Sequence, residues 1–404
     1  MLDTVVKRDY SRALQSGPPT SLEEIMSEVR RLLPAIRARA EVSEENRSIP
    51  PESAKEFLDA GLARILTPKR FGGMQLGLQA WVDVAVELGK ADAAHAWCAS
   101  LMIHHPHYIA QFPEAAQADV WANGPDIWIA GTLTPTSKIE QVAGGYRIVS
   151  CSIPYVSGIN HASWSMTGAM LPGPDGAPDW TIFLVPPGKY RIVDTWHTTG
   201  MRGTGSNTLV VENVFVPAEH TLRIADMRDA TTPGRTINNG PIYRAPWVTY
   251  IGLTFLAPML GAALGALEEY RSWTAKRASL FGAQVAEYTS IQVHLARAAA
   301  NLDAADLLMR RCIEMTEAPE PASEALRARA YRDQARTSEL IVEAMDMVMK
   351  ISGSAGFASS SPIQRAWRDI HFAASHVSLN PEISFAAWGR QQFGLERDPK
   401  QTMY

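Results

Sequence analysis

Three segments of the 404-residue chain carry side chains whose type and spacing could do chemistry. The first, WCASLMIHHPH, runs from Trp97 to His107. Trp97 and His105 are just over two helical turns apart and project to roughly one side of a helix. His104 projects about 100° from His105, so only one of the pair faces a given cleft. Pro106 is expected to end the helix, and His104, His105 and His107 have no second ligand cluster, so no metal site is expected. The same histidines could simply cap a helix end. In the second segment, residues 195–217, Gly200, Gly203 and Gly205 let backbone amides come close to a ligand. Thr204, Ser206 and Asn207 add side-chain hydrogen bonds, and Arg202 adds a fixed positive charge. This set suits a phosphate or a flavin ring edge, and it also reads as a glycine-rich β connection. The third segment spans residues 353–376 and opens a helix at Ser361-Pro362. Asp369 and His376 lie on one stripe, about 10 Å apart along the axis, with His371 about 140° away from His376. Arg368 and Asp369 could equally be a structural ion pair, and His376 an ordinary helix cap.

The elements that must position these residues read as helices, then strands, then helices. We expect a mainly α protein with a central β domain: an N-terminal helical domain over 1–124, a middle β barrel or sandwich over 125–222, and a C-terminal helical bundle over 223–404. Residues 21–41 show helical apolar spacing behind a Ser21/Glu24 capping box. The segments GGYRIVSCSIPYVSG and TLVVENVFVP alternate as strands do. Four helical patterns over 245–276, 284–316, 323–352 and 362–378 suggest an antiparallel bundle. The stretch 245–267 has no charged residue and is long enough to cross a bilayer. Its Pro246, Pro258, Gly252, Gly261 and Gly265 favour a helix buried inside a bundle, and we expect no membrane association.

Lys plus Arg number 38 and Asp plus Glu 42, a net charge of −4 that gives no reason to expect nucleic acid. Cys98, Cys151 and Cys312 are too scattered for a disulfide framework or a zinc site. The first 21 residues are polar without an apolar run, so a cytoplasmic protein is expected. No G-x-G-x-x-G or G-x-x-x-x-G-K-[ST] motif is present. The eleven tryptophans recur beside histidines.

Taken in order, the G-M-R-G-T-G-S-N…V-F-V-P block and the G-x-A-G-F…P-I-Q-R-x-W-R-D block resemble the acyl-CoA dehydrogenase fold, over about residues 22–395. Two departures choose the branch. The glutamate that removes a substrate proton in those dehydrogenases would fall at Val377, which cannot accept one. The arginine that grips the FAD pyrophosphate is Arg277, one residue too far from Phe281-Gly282, which favours FMN over FAD.

The chain is similar instead to two-component flavin-dependent monooxygenases of the phenol-hydroxylating type. That resemblance implies an aromatic substrate flanked by Trp97 and His105. It also implies Ser157 in a Ser-Gly turn at flavin N5, and His376 near flavin C4a, with His371 the alternative near the substrate. Arg202, Gly203, Thr204, Gly205 and Ser206 would hold the flavin edge or phosphate, and Arg244 of a Y-R-x-P motif would lie nearby. A separate NAD(P)H:flavin reductase would supply reduced FMN. Dioxygen would react through a C4a-hydroperoxyflavin, with His376 hydrogen-bonding it or taking the phenol proton. The family implies a homotetramer. Alternatives are an acyl-CoA dehydrogenase-like FAD enzyme and a sulfur or nitrogen monooxygenase of the same fold.

Overall fold

The computed structural model describes residues 19–398, apart from residues 174, 175, 177, 280 and 321. The polar N-terminal segment read for targeting lies almost wholly outside the described residues. Five helices come first: α1 (Leu22–Asn46), α2 (Pro51–Asp59), α3 (Leu78–Gly89), α4 (Ala93–Ile109) and α5 (Glu114–Val120). Ser21 caps α1 by accepting the Glu24 amide hydrogen at 3.2 Å. The Glu24 carboxylate is bound most strongly one residue earlier. It accepts from the Thr20 amide at 2.6 Å, so the box is displaced by one residue.

Every residue of α4 is buried. Asp92 caps it, accepting from the His95 amide at 3.0 Å. The helix runs through Pro106 to Ile109, contrary to the expected break. Proline removes one N–H from the ladder, and packing on all sides holds the turn regardless.

The middle region forms two four-stranded sheets, built from β1 (Ile129–Gly131), β2 (Lys138–Val142), β3 (Gly145–Val156), β4 (Trp164–Pro172), β5 (Pro178–Val185), β6 (Arg191–Val193), β7 (Asn207–Pro217) and β8 (Thr221–Arg223). The orders are β1-β4-β5-β8 and β2-β3-β7-β6. Their inner faces share a core of Ile148, Ile153, Phe183, Val185, Leu209 and Val211. Along β3 the buried residues are Gly145, Ile148, Cys151, Ile153 and Val156, and the register against β7 shifts between the last two. This bulge, with Tyr155 at φ 68°, re-aims the end of β3.

After two short helices, α6 (Ile224–Asp229) and α7 (Gly234–Ile237), come α8 (Leu253–Thr274), α9 (Thr289–Thr316), α10 (Glu324–Gly356), α11 (Pro362–Ala374) and α12 (Pro381–Gln392). The uncharged stretch forms α8 and the turn before it, and 83% of its apolar window is buried inside the fold. Helix α8 packs on α3, α4, α10 and α11.

Close approach of α8 to α3 depends on glycine. A methyl group on Gly261 would meet the Val86 carbonyl and lie 2.8 Å from the Gly89 Cα. Gly261→Val should therefore destabilise the protein by about 1–3 kcal/mol, the usual cost of overpacking. Thermal unfolding of the variant checks this, and an unchanged midpoint would show that the helices can separate freely.

Candidate functional site

A cavity of about 600 Å³ opens where α4, the ends of β1, β3 and β7, α8 and the end of α11 meet. Strand register builds one wall. Val156 pairs with Asn207, so the next residue of β3 and the residue before β7, Ser157 and Ser206, face each other. Their hydroxyls are 2.6 Å apart, and Ser206 is 2.6 Å from the Thr204 hydroxyl. Thr204 in turn donates to the Met201 carbonyl at 2.8 Å. A carbonyl only accepts and each hydroxyl has one hydrogen, so the direction is forced: Ser157 donates to Ser206, Ser206 to Thr204, Thr204 to Met201. Trp97 Nε1 donates to Ser157 Oγ at 3.1 Å. Ser157 has therefore spent its hydrogen and has one lone-pair direction left.

The chain of bonds continues beyond the wall. The Met201 amide donates to Asp369 Oδ1 at 2.5 Å, and Trp196 Nε1 donates to the Met201 carbonyl at 3.0 Å. Met201 holds φ 53°, a left-handed conformation that these contacts pin. Burial, with Asp92 nearby, pushes the Asp369 carboxyl up to about 7.

His105 and His376 border the cavity with opposite tautomers. His105 Nδ1 donates to the Ile129 carbonyl at 2.6 Å, which leaves Nε2 as an acceptor. His376 Nδ1 accepts from the Ser378 amide at 3.2 Å, which leaves Nε2–H as a donor. His376 packs on Phe255 with ring centroids 3.7 Å apart, and on Trp97 at 6.3 Å. Its ring is reached from the cavity, yet protein surrounds it. Desolvation lowers both histidines to about 4, so both are neutral at pH 7.

Models of the acyl-CoA dehydrogenase N-terminal domain and C-terminal domain match residues 20–124 and 253–381. The oxygenase subunit HsaA of a flavin-dependent monooxygenase from Rhodococcus jostii (strain RHA1) is 35% identical over 90% of this chain and 97% of its own length. The oxygenase component of an FADH(2)-dependent resorcinol hydroxylase from Rhizobium sp. (strain MTP-10005) is 32% identical over 96% and 98%. The crystal structure of 3-HSA hydroxylase from Rhodococcus sp. RHA1 superposes with a TM-score of 0.88 at 34% identity, covering 94% of this chain and 99% of that one. The chain belongs to the oxygenase components of flavin-dependent monooxygenases, on the acyl-CoA dehydrogenase fold.

In this oxygenase component, Trp97, His105, Ser157, Thr204, Ser206 and His376 all line one cavity. Other expected residues have different partners. His371 lies outside: its Nδ1 donates to the Trp367 carbonyl at 2.8 Å and its Nε2 is 3.2 Å from Asp346. It stays on α11, whereas His376 follows the helix end in extended backbone and turns inward. Trp367, on the same helix, donates to Asp346 at 2.8 Å. Arg202 donates to the Glu44 carbonyl at 3.2 Å and the Thr198 carbonyl at 2.9 Å.

Gly203 and Gly205 serve chain packing and do not line the cavity. A methyl on Gly203 would lie 2.9 Å from Ala94 Cβ, and one on Gly205 3.0 Å from Asn160. Arg244 is exposed and away from the cavity lining. His104, expected to face elsewhere when His105 faces the cleft, also borders the cavity, with its ring stacked on Trp81 at 4.5 Å and bonded to Thr254 at 2.8 Å. Sequence reasoning missed Trp180, Trp247, Phe255 and Phe372. They are distant in sequence and carry no local pattern.

The lining fits a flavin ring. Trp97, Trp196, Phe255 and Phe372 supply flat apolar surface, and Ser157, His105 and His376 supply unspent hydrogen-bonding positions. Among the described residues no Lys or Arg lines the cavity, so a flavin phosphate would lie beyond this lining.

Burial of the neutral histidines is expected to make the fold less stable in acid. An unfolded histidine takes a proton near pH 6.5 and folded His376 only near 4, so its contribution is present above pH 6.5 and lost as pH falls towards 4. His376→Asn should reduce the pH dependence of the urea midpoint within that window and leave it unchanged above pH 7. Parallel wild-type and variant curves would refute the burial-driven shift.

Proposed function

We propose that this oxygenase component hydroxylates a phenolic small molecule, using reduced FMN delivered by a separate NAD(P)H:flavin reductase. The observation that carries the reading is the opposed pair of neutral histidines, an acceptor at His105 and a donor at His376, beside a serine whose hydrogen is already spent. The bound flavin supplies two electrons and, with dioxygen, the oxygen atom that is transferred.

The protein's part follows from its own atoms. Ser157 Oγ accepts, and the N5–H of a reduced flavin is a donor, so Ser157 suits the reduced ring. His105 Nε2 accepts from the phenol hydroxyl and aligns the ring against Trp97. With a pKa near 4 it is too weak a base to hold the phenol proton at neutral pH, so it polarises the hydroxyl. His376 Nε2–H would donate a hydrogen bond to oxygen bound in the cavity, so donation replaces the proton-accepting role. The apolar walls exclude water, which would otherwise divert the reaction to hydrogen peroxide.

FMN is favoured because Arg277 is already engaged. Its guanidinium lies 4.6 Å over the Trp273 ring and donates to the Ser352 carbonyl at 3.3 Å. The name of the Rhizobium relative favours FADH2 as a second reading. Equilibrium binding of each reduced flavin under anaerobic conditions decides between them. Exposed Phe357 (62%) and Phe393 (83%) at the ends of α10 and α12 suit burial in a homotetramer, and three buried free thiols suit a reducing cytoplasm.

The central test mixes protein, reduced FMN, oxygen and a phenol and measures hydroxylated product against hydrogen peroxide. His105→Ala should lower the hydroxylation rate by about 100-fold. His376→Ala should shift the ratio towards peroxide, and an unchanged ratio would remove His376 from the reaction. Thr204→Val should act likewise by freeing the hydroxyl hydrogens of Ser206 and Ser157, and Thr204→Ser should restore wild-type coupling.

A further inference from the structure

The turn that ends the hydroxyl chain is held at two points. The Met201 carbonyl accepts from the Thr204 hydroxyl at 2.8 Å, the Trp196 indole at 3.0 Å and the Thr204 amide at 3.1 Å. The Met201 amide is held from α11, where Asp369 Oδ1 accepts from it at 2.5 Å. Arg368 donates to the Thr199 carbonyl, and a methyl group on Gly200 would meet the Arg368 carbonyl, so α11 seats the whole turn. Met201 itself sits at φ 53° and ψ 29°. That left-handed conformation is unfavourable for a methionine. Released at its amide, the residue would relax by rotating about φ, and its carbonyl would swing away from Thr204.

Asp369 is set apart from the other carboxylates behind the wall. Arg368 pairs with Glu44 at 2.6 Å, Arg365 lies 3.9 Å from Glu44 and 4.0 Å from Asp92, and His95 bonds Asp92 at 2.7 Å. Arg202 adds a contact to Glu44 at 3.8 Å. These are the charged and titratable groups that α1, α4, α11 and the loop before β7 bring to the cluster. Among the described residues, the hydrogen-bond partner of Asp369 is the Met201 amide. Burial, and then the charge of Asp92, push its carboxyl up to about 7, opposed by the Met201 hydrogen bond and Arg368. Asp369 does not line the cavity.

We propose that Asp369 is a positioning residue for the flavin reaction, an inference that rests on the placement of Ser157 at flavin N5. By holding the Met201 amide, it keeps the Met201 carbonyl where the Thr204 hydroxyl can donate to it. The hydrogens of Ser206 and Ser157 are then committed in turn, and Ser157 stays an acceptor. An acceptor at that position suits the N5–H of reduced flavin and has no hydrogen to give the N5 lone pair of oxidised flavin. Asp369 thereby sets a preference for the reduced form from behind the wall, without touching it. Without this anchor, Ser157 is free to turn its hydrogen into the cavity and serve either form.

The preference is the dissociation constant for oxidised FMN divided by that for reduced FMN, read by quenching of tryptophan fluorescence in the full-length protein without oxygen. Asp369→Leu, similar in size but without an acceptor, should lower this ratio about 10-fold, the worth of one hydrogen bond. Asp369→Asn keeps an acceptor and should recover most of the loss. Ser157→Ala should lower the ratio as Asp369→Leu does, and the double variant no further. In flavin-free protein, exchange of the Met201 amide hydrogen should quicken in Asp369→Leu and not in Asp369→Asn. An unchanged ratio or unchanged exchange in Asp369→Leu overturns the inference, as do additive losses in the double variant. An unchanged ratio in Ser157→Ala removes instead the N5 placement on which the inference rests. If the leucine variant fails to fold, pH decides. Asp369 ionises above about pH 7, and a carboxylate is a stronger acceptor than the acid. Between about pH 6 and pH 8 the wild-type ratio should therefore climb relative to that of Asp369→Asn, which has no proton to lose. Ionisation of the flavin itself acts on both proteins alike. Parallel profiles overturn the inference.

Discussion

One directed chain of hydrogen bonds holds the site together. It runs from the Trp97 indole through the hydroxyls of Ser157, Ser206 and Thr204 to the Met201 carbonyl, while the Met201 amide is held by Asp369. These residues come from α4, the ends of β3 and β7, the loop before β7, and α11, so the chain ties the helical parts to the sheets. Each hydroxyl has a single hydrogen, so the terminal carbonyl fixes the orientation of every member. A polar network in a buried wall is stable only when all its members are satisfied. Every donor in this one is matched, and Ser157, which lines the cavity, keeps the capacity to accept one more hydrogen bond.

Charge is kept out of the cavity and gathered behind it. Glu44, Asp92, Arg365, Arg368 and the buried His95–Asp92 pair at 2.7 Å form a cluster between α1, α4 and α11. The cluster braces α11 against α1 and α4, and through Asp369 it braces the Met201 turn. The cavity itself is lined by aromatic rings, hydroxyls and neutral histidines. Desolvation sets the histidines neutral, and their second nitrogens, bonded to the Ile129 carbonyl and the Ser378 amide, decide which one accepts and which one donates. Opposite roles thus arise from identical side chains through backbone groups that no motif records.

Much of the architecture is legible in the residues. The apolar period of α1, the glycine and proline punctuation before the strands and the long periodic segments of the C-terminal half all announce their elements. Trp97 and His105 reach one cavity because α4 keeps helical spacing, whereas Ser157 stands beside Ser206 because a bulge between Ile153 and Val156 shifts the pairing of β3 with β7. The glycine block from Gly200 to Gly205 also marks the right loop. Its glycines, however, face Ser43, Ala94, Asn160 and the Arg368 carbonyl, so they serve close chain packing.

The sequence by itself determined the order of helices and strands and the fold family, and its motifs contain six of the residues that line the cavity. Local spacing fixes those, because helix and strand periods decide which side chains share a face. Only the tertiary structure decided that His376 and not His371 turns inward, that α4 continues through Pro106, that Arg202 and Arg244 stand clear of the cavity, and that Trp180 and Trp247 complete it. Those outcomes depend on where a helix ends against its neighbours, and on contacts between residues more than a hundred positions apart. Local spacing holds no information about either, and the packed core settles both.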